Sequence, residues 1–353
     1  MKYDYGNPNQ GYSFEHYNFY DSLVNIGHDI LYFDYMTLMQ QYGREWMNNK
    51  LFEIVKKENP DLMFTVLFKE ELDKNIVKKI SDSTDTITLN WFCDDHWRFD
   101  NFTKYWAPCF NYVVTTAKSA LPKYEKMGYT NVIKSQWACN NFLYKKMELQ
   151  FKYDSSFIGQ PHGNRREIIQ RIKNSNIQIE TWGTGWESGR VTQEEMIKIF
   201  NQSRINLNLS NSSTINNINI LGKIKSMFVK NKNDKIIFNH INNQIKGRNF
   251  EVPGCGSFML TGIAEDLDQY YDINKEVCCF EDMNDLLYKI NYYLNHDEER
   301  RQIANAGYIR TLKEHTYVHR FNDIFKHIAW ASTPSDITYI GKPKHGSTVE
   351  IIK

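Results

Sequence analysis

RNFEVPGCGSFMLT, from Arg248 to Thr261, is the stretch that decides the fold of this chain of 353 residues. It joins basic residues, one glutamate, a Pro-Gly-Cys-Gly turn and a short apolar strand. Lys246 and Arg248 are placed to meet a diphosphate, because cations form charge-assisted hydrogen bonds with phosphate oxygens. Glu251 is spaced to lie on the first turn of a short helix, where its carboxylate can accept hydrogen bonds from a ribose diol. Gly254 allows close backbone approach. The alternative is a solvated surface turn.

From this stretch outward the chain resembles the GT-B glycosyltransferases. It is most similar to the CgeB-like, or spore-maturation-protein-like, group, with a glycosyltransferase family 1-like C-terminal half. The resemblance continues through residues 266–321, from DLDQYYDINKE to EHTYVHRF, and returns near the N-terminus in residues 3–35, from YDYGNPNQGYSFE to HDILYFDY. It implies an α/β fold of two Rossmann-like domains facing a central cleft. It also implies a nucleotide-diphosphate sugar as co-substrate, with no other cofactor and no metal ion.

One position departs from the pattern of the retaining enzymes of the GT-B fold. They have a second glutamate eight positions before the ribose-binding one, and this chain has Asn243 there. Direct displacement with inversion is therefore slightly favoured, and retention remains open.

The composition limits the classes of function. Lys and Arg number 43 against 42 Asp and Glu, so nothing global favours nucleic acid or an anionic membrane surface, although a local basic cleft remains possible. No apolar run approaches the roughly 20 residues of a membrane helix. The polar start MKYDYGNPNQ lacks the apolar segment of a secretion signal. The six cysteines have no paired CxxC spacing, which indicates reduced thiols. We therefore expect a cytoplasmic protein.

Strand-like and helical segments alternate in both halves, which predicts parallel sheets covered by helices. We expect a Rossmann-like acceptor domain at residues 1–140, a Rossmann-like nucleotide-sugar-binding domain at 151–330, and a tail at 331–353. The predicted strands are 28–35, 62–68, 86–92, 113–116, 155–160, 177–183 and 204–210. Relatives have an apolar strand before the YDYG-like segment, whereas only Met1 and Lys2 precede it here. Either the start is truncated, or another element must replace that strand.

The N-terminal half offers two candidate loops. NWFCDDHWRFD ends a predicted strand in Asp94, Asp95 and His96, and an aspartate there could deprotonate an acceptor hydroxyl as a general base. Asp95 is the preferred base, while a turn cap is the alternative for either aspartate. A divalent ion is discounted, because the resemblance implies a metal-independent enzyme. Gly11 precedes the helix cap Ser13, so its backbone either approaches a donor phosphate or only forms a turn.

Two loops of the C-terminal half complete the candidate donor site. FIGQPHGNRRE places Gly159 and Arg165 between a strand and a helix, where phosphate contacts occur in this fold. TWGTGWESGR places Trp182 beside glycines, where its indole could stack on a nucleobase. An exposed arginine and a core tryptophan are the alternatives. The histidines lack metal-ligand spacing, and His315 and His319 are interpreted as packing residues.

The sequence thus predicts a metal-independent glycosyltransferase that moves a sugar from a nucleotide-diphosphate sugar to an unidentified acceptor. The acceptor could be a saccharide, a protein or another hydroxyl compound. The main rival is a non-catalytic GT-B structural or assembly protein. A sugar-nucleotide epimerase or hydrolase on the same fold is a third possibility. A glycosyltransferase that modifies DNA gains no support from the near-zero net charge.

Overall fold

The computed structural model describes residues 1–209 and 244–328. It consists of two compact units. Unit 1 contains residues 1–143 and the segment that begins at Thr316, and unit 2 contains residues 144–315. Each unit has its own parallel sheet, which confirms the predicted α/β class. Asn243 and the expected tail at 331–353 lie outside the described residues.

The sheet of unit 1 is parallel throughout and has the order β1-β2-β3-β4. Its central strands are almost wholly buried, as expected for a parallel sheet with both faces covered. The pairs Leu62 with Ile87, Leu89 with Tyr112 and Val113 with Val132 set the register. The strands are β1 (Leu62–Thr65), β2 (Ile87–Phe92), β3 (Tyr112–Thr115) and β4 (Val132–Lys134).

Helices cover both faces of this sheet. Ser13 begins the first helical segment as predicted, because its hydroxyl accepts a hydrogen bond from the His16 backbone N–H at 3.1 Å. The α-helices of unit 1 are α1 (Asp21–Ile26), α2 (Tyr35–Tyr42), α3 (Arg44–Glu58), α4 (Lys74–Ser83), α5 (Asp95–Arg98), α6 (Lys104–Trp106) and α7 (Leu121–Lys126). Two π-helical segments, His16–Tyr20 and Phe99–Thr103, precede α1 and α6.

The sheet of unit 2 has the order β6-β5-β7-β8-β9, again all parallel. The chain leaves β5 toward β6 on one side and then continues to β7 on the other. The strand order therefore reverses between β5 and β7, and such switch points are where open α/β sheets bind ligands. The strands are β5 (Tyr153–Ile158), β6 (Glu180–Trp182), β7 (Ser203–Asn208), β8 (Met259–Gly262) and β9 (Cys278–Phe280).

Local signals explain where the helices of unit 2 begin. Thr192 and Glu195 form a capping box at the start of one helix, and Asp282 caps another by accepting from two backbone N–H groups. The helices are α8 (Arg165–Asn174), α9 (Gln193–Gln202), α10 (Arg248–Gly254), α11 (Met283–Asn295) and α12 (Asp297–Glu314).

Residues 28–35, predicted as a strand, do not form one. Residues 28–34 carry no regular secondary structure, and α2 begins at Tyr35. The side chains nevertheless alternate as in a strand, since Ile30 packs on one core cluster of unit 1 and Phe33 on another. The alternation was therefore identified correctly, but no described strand lies beside the segment to accept its hydrogen bonds.

The last described helix, α13 (Tyr317–His327), belongs to unit 1, whereas the sequence analysis placed residues up to 330 in the second domain. Its apolar stripe explains the difference. Tyr317 packs against Phe19 with ring centroids 5.1 Å apart, and Phe321 packs against Phe64 at 5.8 Å. The stripe itself is visible in the sequence, but the surface that it covers is not.

Two further observations concern the described ranges. No helix in residues 1–209 and 244–328 has the length and apolarity needed to cross a membrane. All six cysteines lie in these ranges as free thiols, five of them buried.

The assignment of α13 to unit 1 can be tested with Phe321→Ala. Removing this buried ring should destabilise the protein by about 3–5 kcal/mol, and the effect should appear in unit 1. Hydrogen exchange followed by mass spectrometry should show faster exchange in β1 and β2, with little change in β5 and β7. Lys326→Ala, at an exposed position of the same helix, is the control. Faster exchange confined to unit 2 would contradict the assignment.

Candidate functional site

The sequence stretch that predicts the fold contains a buried ion pair. Arg248 opens α10, and Glu251 follows one turn later, so the Arg248 Nη1 donates to the Glu251 Oε2. The Glu251 side chain is 0% exposed and the Arg248 side chain 28%. The sequence predicted a Glu251 carboxylate open to a ribose diol, and the structure corrects this because the side chain is buried. α10 is buried along most of its length, with Phe250 packed on Tyr271 at 5.7 Å.

Each member of this pair retains one buried polar atom that forms no hydrogen bond within the described residues. These atoms are the Arg248 Nε and the Glu251 Oε1. Burial disfavours the charged guanidinium, but the Glu251 carboxylate, together with Tyr144 and Cys255, outweighs this effect and raises the pKa of Arg248. Because buried polar groups are nearly always paired in native proteins, an unused donor beside an unused acceptor is a candidate ligand site.

Tyr144 contacts this pair and was missed by the sequence analysis. Burial, together with the nearby Glu251 carboxylate, holds the pKa of Tyr144 well above its usual value. The hydroxyl therefore stays protonated and can donate a hydrogen bond. The sequence did not predict this role, because Tyr144 lies between the two predicted domains and belongs to no periodic pattern.

Three buried side chains link the ends of β7 and β8 to α10. The Asn208 Nδ2 donates to the Asn249 Oδ1 at 3.1 Å and to the Thr261 Oγ1 at 3.0 Å. The Asn249 Oδ1 also accepts from the Lys246 backbone N–H at 2.9 Å. The network thus fixes the backbone of Lys246 two residues before Arg248. Asn208, a polar residue inside an apolar strand, is the feature of the sequence that indicates such a network, because a buried amide needs hydrogen-bond partners.

Arg165 lies at the switch point of the sheet, at the start of α8. Its Nη1 donates to the Gln160 carbonyl after β5 at 3.0 Å, and its Nη2 to the Leu209 carbonyl after β7 at 2.8 Å. Burial lowers the pKa of Arg165 to about 10, so the guanidinium remains charged at neutral pH. The sequence predicted its position correctly, but both terminal nitrogens hold the two strand ends together. The predicted phosphate contact is not tested by this geometry.

The predicted glycines serve contacts within the protein. A Cβ on Gly183 would lie 2.6 Å from the Gly159 carbonyl oxygen, so at Gly159 the close approach is between two backbone segments. Gly254 is buried at the end of α10, and it is Gly256, at φ +68°, whose missing Cβ makes room for Lys146. Neither observation places a ligand beside Gly159 or Gly254.

Trp182 ends the edge strand β6 and is half-buried. Its ring packs edge-to-face on Tyr153 at a centroid distance of 5.2 Å. The neighbouring Trp186 is fixed by a hydrogen bond of 2.7 Å from its Nε1 to the Gly159 carbonyl. Trp186 is thereby assigned to structure, while stacking of Trp182 on a base stays a prediction.

Asp95 does not have the orientation expected of a general base. It is 1% exposed, and its two oxygens accept from the Thr103 hydroxyl at 2.6 Å and the Tyr124 hydroxyl at 2.8 Å. Burial raises the pKa of Asp95, against the opposing effect of these hydroxyls. Asp95 lies in the first turn of α5, and its side chain points into unit 1. The alternation of residues along β2 does not predict this direction, because Asp95 follows the strand. Asp95 therefore has a structural role, since its hydrogen bonds connect α5 to Thr103 and Tyr124 within unit 1.

The remaining candidates of unit 1 are more exposed. The Asp94 backbone carbonyl accepts from the Trp97 and Arg98 N–H groups, while its side chain does not cap the helix. His96 is half-buried on α5. Gly11, at φ +77°, is exposed and its carbonyl accepts from the Asp4 N–H at 3.0 Å, which fits the turn interpretation.

No group of His, Cys, Asp and Glu among residues 1–209 and 244–328 is arranged to hold a metal ion.

The burial of Asp95 has a pH signature. Because its folded-state pKa is raised, the protonated carboxyl stabilises the fold below the unfolded pKa of about 3.9, and this contribution is lost as the pH rises through the folded pKa. Asp95→Asn imitates the neutral form. The free energy of unfolding of the wild type should therefore fall relative to that of the variant as the pH rises from about 4, by at most about 1.4 kcal/mol per pH unit.

Urea unfolding across a pH series measures this difference. Asp100→Asn is the matched control, because the hydrogen bond from Lys123 lowers the pKa of exposed Asp100 and predicts a trend of the opposite sign. A difference for Asp95→Asn that is independent of pH would contradict the assignment.

Known proteins support the identification of the fold. Residues 165–326 match the family described as Glycosyl transferase-like. The chain is 26% identical over 212 residues to Spore protein CgeB of Bacillus subtilis (strain 168), an alignment that covers 58% of this chain and 64% of that protein. The aligned region is thus just under two thirds of the length of the curated relative.

Solved structures agree. Alr3699/HepE of Anabaena, in complex with UDP-glucose, has a TM-score of 0.56 at 9% identity and covers 83% of this chain and 88% of its own. TarM has a TM-score of 0.53 at 11% identity, over 79% of this chain and 58% of its own. Identities this low show the fold alone. Together the matches confirm the resemblance: the chain has the GT-B fold and is similar to the CgeB-like, glycosyltransferase family 1-like proteins.

Proposed function

We propose that this chain is a glycosyltransferase that takes its sugar from a nucleotide-diphosphate sugar and transfers it to an acceptor hydroxyl. The glycosyl transferase-like region, residues 165–326, contains Arg165, Trp182, Arg248 and Glu251. One protein of the same fold, Alr3699/HepE, binds UDP-glucose. A uridine diphosphate sugar is therefore the first donor to test.

The observation that carries the proposal is the unsatisfied pair in α10. Among residues 1–209 and 244–328, no donor hydrogen-bonds to the Glu251 Oε1 and no acceptor to the Arg248 Nε. A ribose hydroxyl complements the first and a phosphate oxygen the second. Charge-assisted contacts of this kind contribute roughly 1.5–3 kcal/mol each.

The burial of Glu251 sets a condition on binding. With the side chain 0% exposed, a ribose reaches the Oε1 only if the surroundings of α10 open. We propose an exchange in which the guanidinium turns from Glu251 toward the diphosphate while the ribose hydroxyls replace it on the carboxylate. The two charges thus keep partners throughout, which limits the cost of breaking a buried ion pair.

The basic residues of this stretch also explain how the leaving group would be stabilised. When the bond between the sugar and the diphosphate breaks, negative charge grows on the departing phosphate. Arg248 and Lys246 stabilise that charge in this proposal, with no metal ion required. The acceptor hydroxyl must lose its proton to a base, and because Asp95 is committed to Thr103 and Tyr124, Asp95 is not proposed for this role.

The burial of the pair also favours a second candidate. A fully buried Glu251 paired with Arg248 is equally expected in a non-catalytic GT-B scaffold, where the pair serves the fold. The two functions differ in one observable. A scaffold releases no nucleoside diphosphate from the sugar nucleotide, whether or not it binds it.

Calorimetric titration with UDP-glucose tests the donor site. Glu251→Gln keeps the volume of the side chain and an acceptor for Arg248 but removes the carboxylate, so it should weaken binding about tenfold to a hundredfold. Glu298→Gln, at an exposed position of α12, should bind as the wild type does. A folded Glu251→Gln variant with unchanged affinity would remove Glu251 from the site.

A second pair of ligands separates the two roles. Uridine lacks the diphosphate, so Arg248→Gln should weaken binding of UDP by about tenfold or more and leave binding of uridine nearly unchanged, whereas Glu251→Gln should weaken both. Circular dichroism confirms folding of each variant. Equal losses for UDP and uridine in Arg248→Gln would contradict the diphosphate assignment. Release of UDP from UDP-glucose by the wild type would exclude the scaffold.

A further inference from the structure

A cavity lies in unit 2 at the amino ends of its strands. Its volume is about 460 Å³, which is in the range of pockets that hold small organic ligands. Its wall includes Phe151 before β5, Ser203 at the start of β7 and Phe258 before β8. All its lining residues belong to unit 2, and neither Arg248 nor Glu251 is among them. The cavity is therefore separate from the proposed donor site.

Four basic side chains line this cavity, those of Lys146, Arg204, Arg300 and Arg301. The three guanidinium groups lie around the ring of Phe151. Their Cζ atoms are 5.9 Å (Arg204), 5.6 Å (Arg300) and 6.0 Å (Arg301) from the ring centroid. Like charges this close repel one another, so the cluster is favourable only where negative charge compensates it.

Two carboxylates pair with these arginines. Asp297 accepts a hydrogen bond from the Arg300 Nη2 and lies 2.8 Å from the Arg301 Nε. Asp154 lies 3.5 Å from the Arg204 Nε. Burial lowers the pKa of Arg300, Asp297 opposes this, and the two neighbouring guanidinium charges lower it further. The carboxylates therefore compensate the cluster only in part.

Hydrogen-bond donors remain available in this cluster. Arg204 and Arg301 use the Nε in their ion pairs, and their terminal nitrogens form no hydrogen bond within residues 1–209 and 244–328. In the same ranges the Lys146 ammonium has a cation–π contact alone, 5.7 Å from the ring centroid of Tyr308. Glu148 lines the cavity but is exposed and forms no ion pair in those ranges. Two guanidinium forks and an ammonium group match the oxygens of a phosphate group.

The backbone on one side of the cavity is held by Asn201. The Asn201 Oδ1 accepts from the Met147 backbone N–H at 2.8 Å, and its Nδ2 donates to the Lys145 carbonyl at 3.1 Å. Lys146 lies between these two anchored residues. The cavity wall is thus fixed before any ligand binds, which reduces the entropic cost of binding.

We propose that this cavity binds a phosphate monoester, with the phosphate group between Arg204 and Arg301 and the organic part against Leu149 and Phe151. A phosphate dianion compensates the remaining positive charge and accepts hydrogen bonds from the terminal guanidinium nitrogens. The cavity is much larger than one phosphate group. Leu149 is 40% exposed and Phe151 42%, and a free phosphate ion would leave this apolar surface in water. The site is independent of the proposed glycosyltransferase function.

Phenyl phosphate is the probe, titrated into the full chain by calorimetry at constant ionic strength. Arg204→Gln and Arg301→Gln change side chains that are 40% and 63% exposed, so both variants should fold. Each should bind about tenfold or more weakly, because it loses charge-assisted hydrogen bonds to the phosphate. Circular dichroism checks that each variant is folded.

Arg171→Gln is the matched control. It removes the same charge from an ion pair of the same i,i+4 spacing, with Glu167, but Arg171 does not line the cavity. This variant should bind phenyl phosphate as the wild type does.

Two further ligands define the site. Saturating UDP should leave the affinity for phenyl phosphate unchanged, because the cavity is separate from the proposed donor site. Inorganic phosphate should bind about tenfold more weakly than phenyl phosphate, because it buries no apolar surface against Leu149 and Phe151.

Four results would each overturn the proposal. The first is a wild type that does not bind phenyl phosphate. The second is unchanged affinity in both Arg204→Gln and Arg301→Gln. The third is displacement of phenyl phosphate by UDP, which would place it in the donor site. The fourth is inorganic phosphate that binds as tightly as phenyl phosphate, which would assign the cavity to a free anion.

Discussion

Main-chain pairing in parallel sheets constrains this molecule more than any other interaction. A parallel strand needs a hydrogen-bonded neighbour and apolar cover on both faces, because its backbone and its side chains are buried together. β2 and β7 satisfy this demand, with strands on either side and core clusters above and below. Where it is not met, as for residues 29–33, the same alternation of side chains produces no strand. The position of each helix follows from the strand edges and faces that remain to be covered.

The polar residues at the carboxyl ends of the unit 2 strands are held by the same sheet. Asn208 and Thr261 project from the ends of neighbouring strands, and their hydrogen bonds position α10. The Arg248–Glu251 pair is thereby anchored through three elements. Precise placement of charged groups by a rigid scaffold is what electrostatic stabilisation of a departing phosphate requires. A buried ion pair alone is weak evidence for a stability role, because desolvation cancels much of its attraction.

The sequence predicted elements better than it predicted the directions of side chains. Apolar runs such as TITLNWF identify a buried strand without further information, and the stretch around Glu251 pointed to the GT-B fold. Burial depth was not accessible in the same way. Asp95 and Glu251 both looked like carboxylates at the margin of a site, yet each is almost wholly buried. The difference depends on Thr103, Tyr124 and Tyr144, which are distant or unpatterned in the sequence and become neighbours only in the fold.

The membership of α13 in unit 1 has a consequence for synthesis of the chain. Unit 2 is continuous in sequence, whereas unit 1 is completed only by residues that follow it. On the ribosome, unit 2 can fold while Phe19 and Phe64 still lack the aromatic ring of Phe321 that packs beside them. This apolar face of unit 1 stays open until α13 has been translated, and nascent chains bind chaperones or aggregate through such surfaces. Because unit 1 is translated first but completed last, it is the unit with the greater risk of aggregation during synthesis.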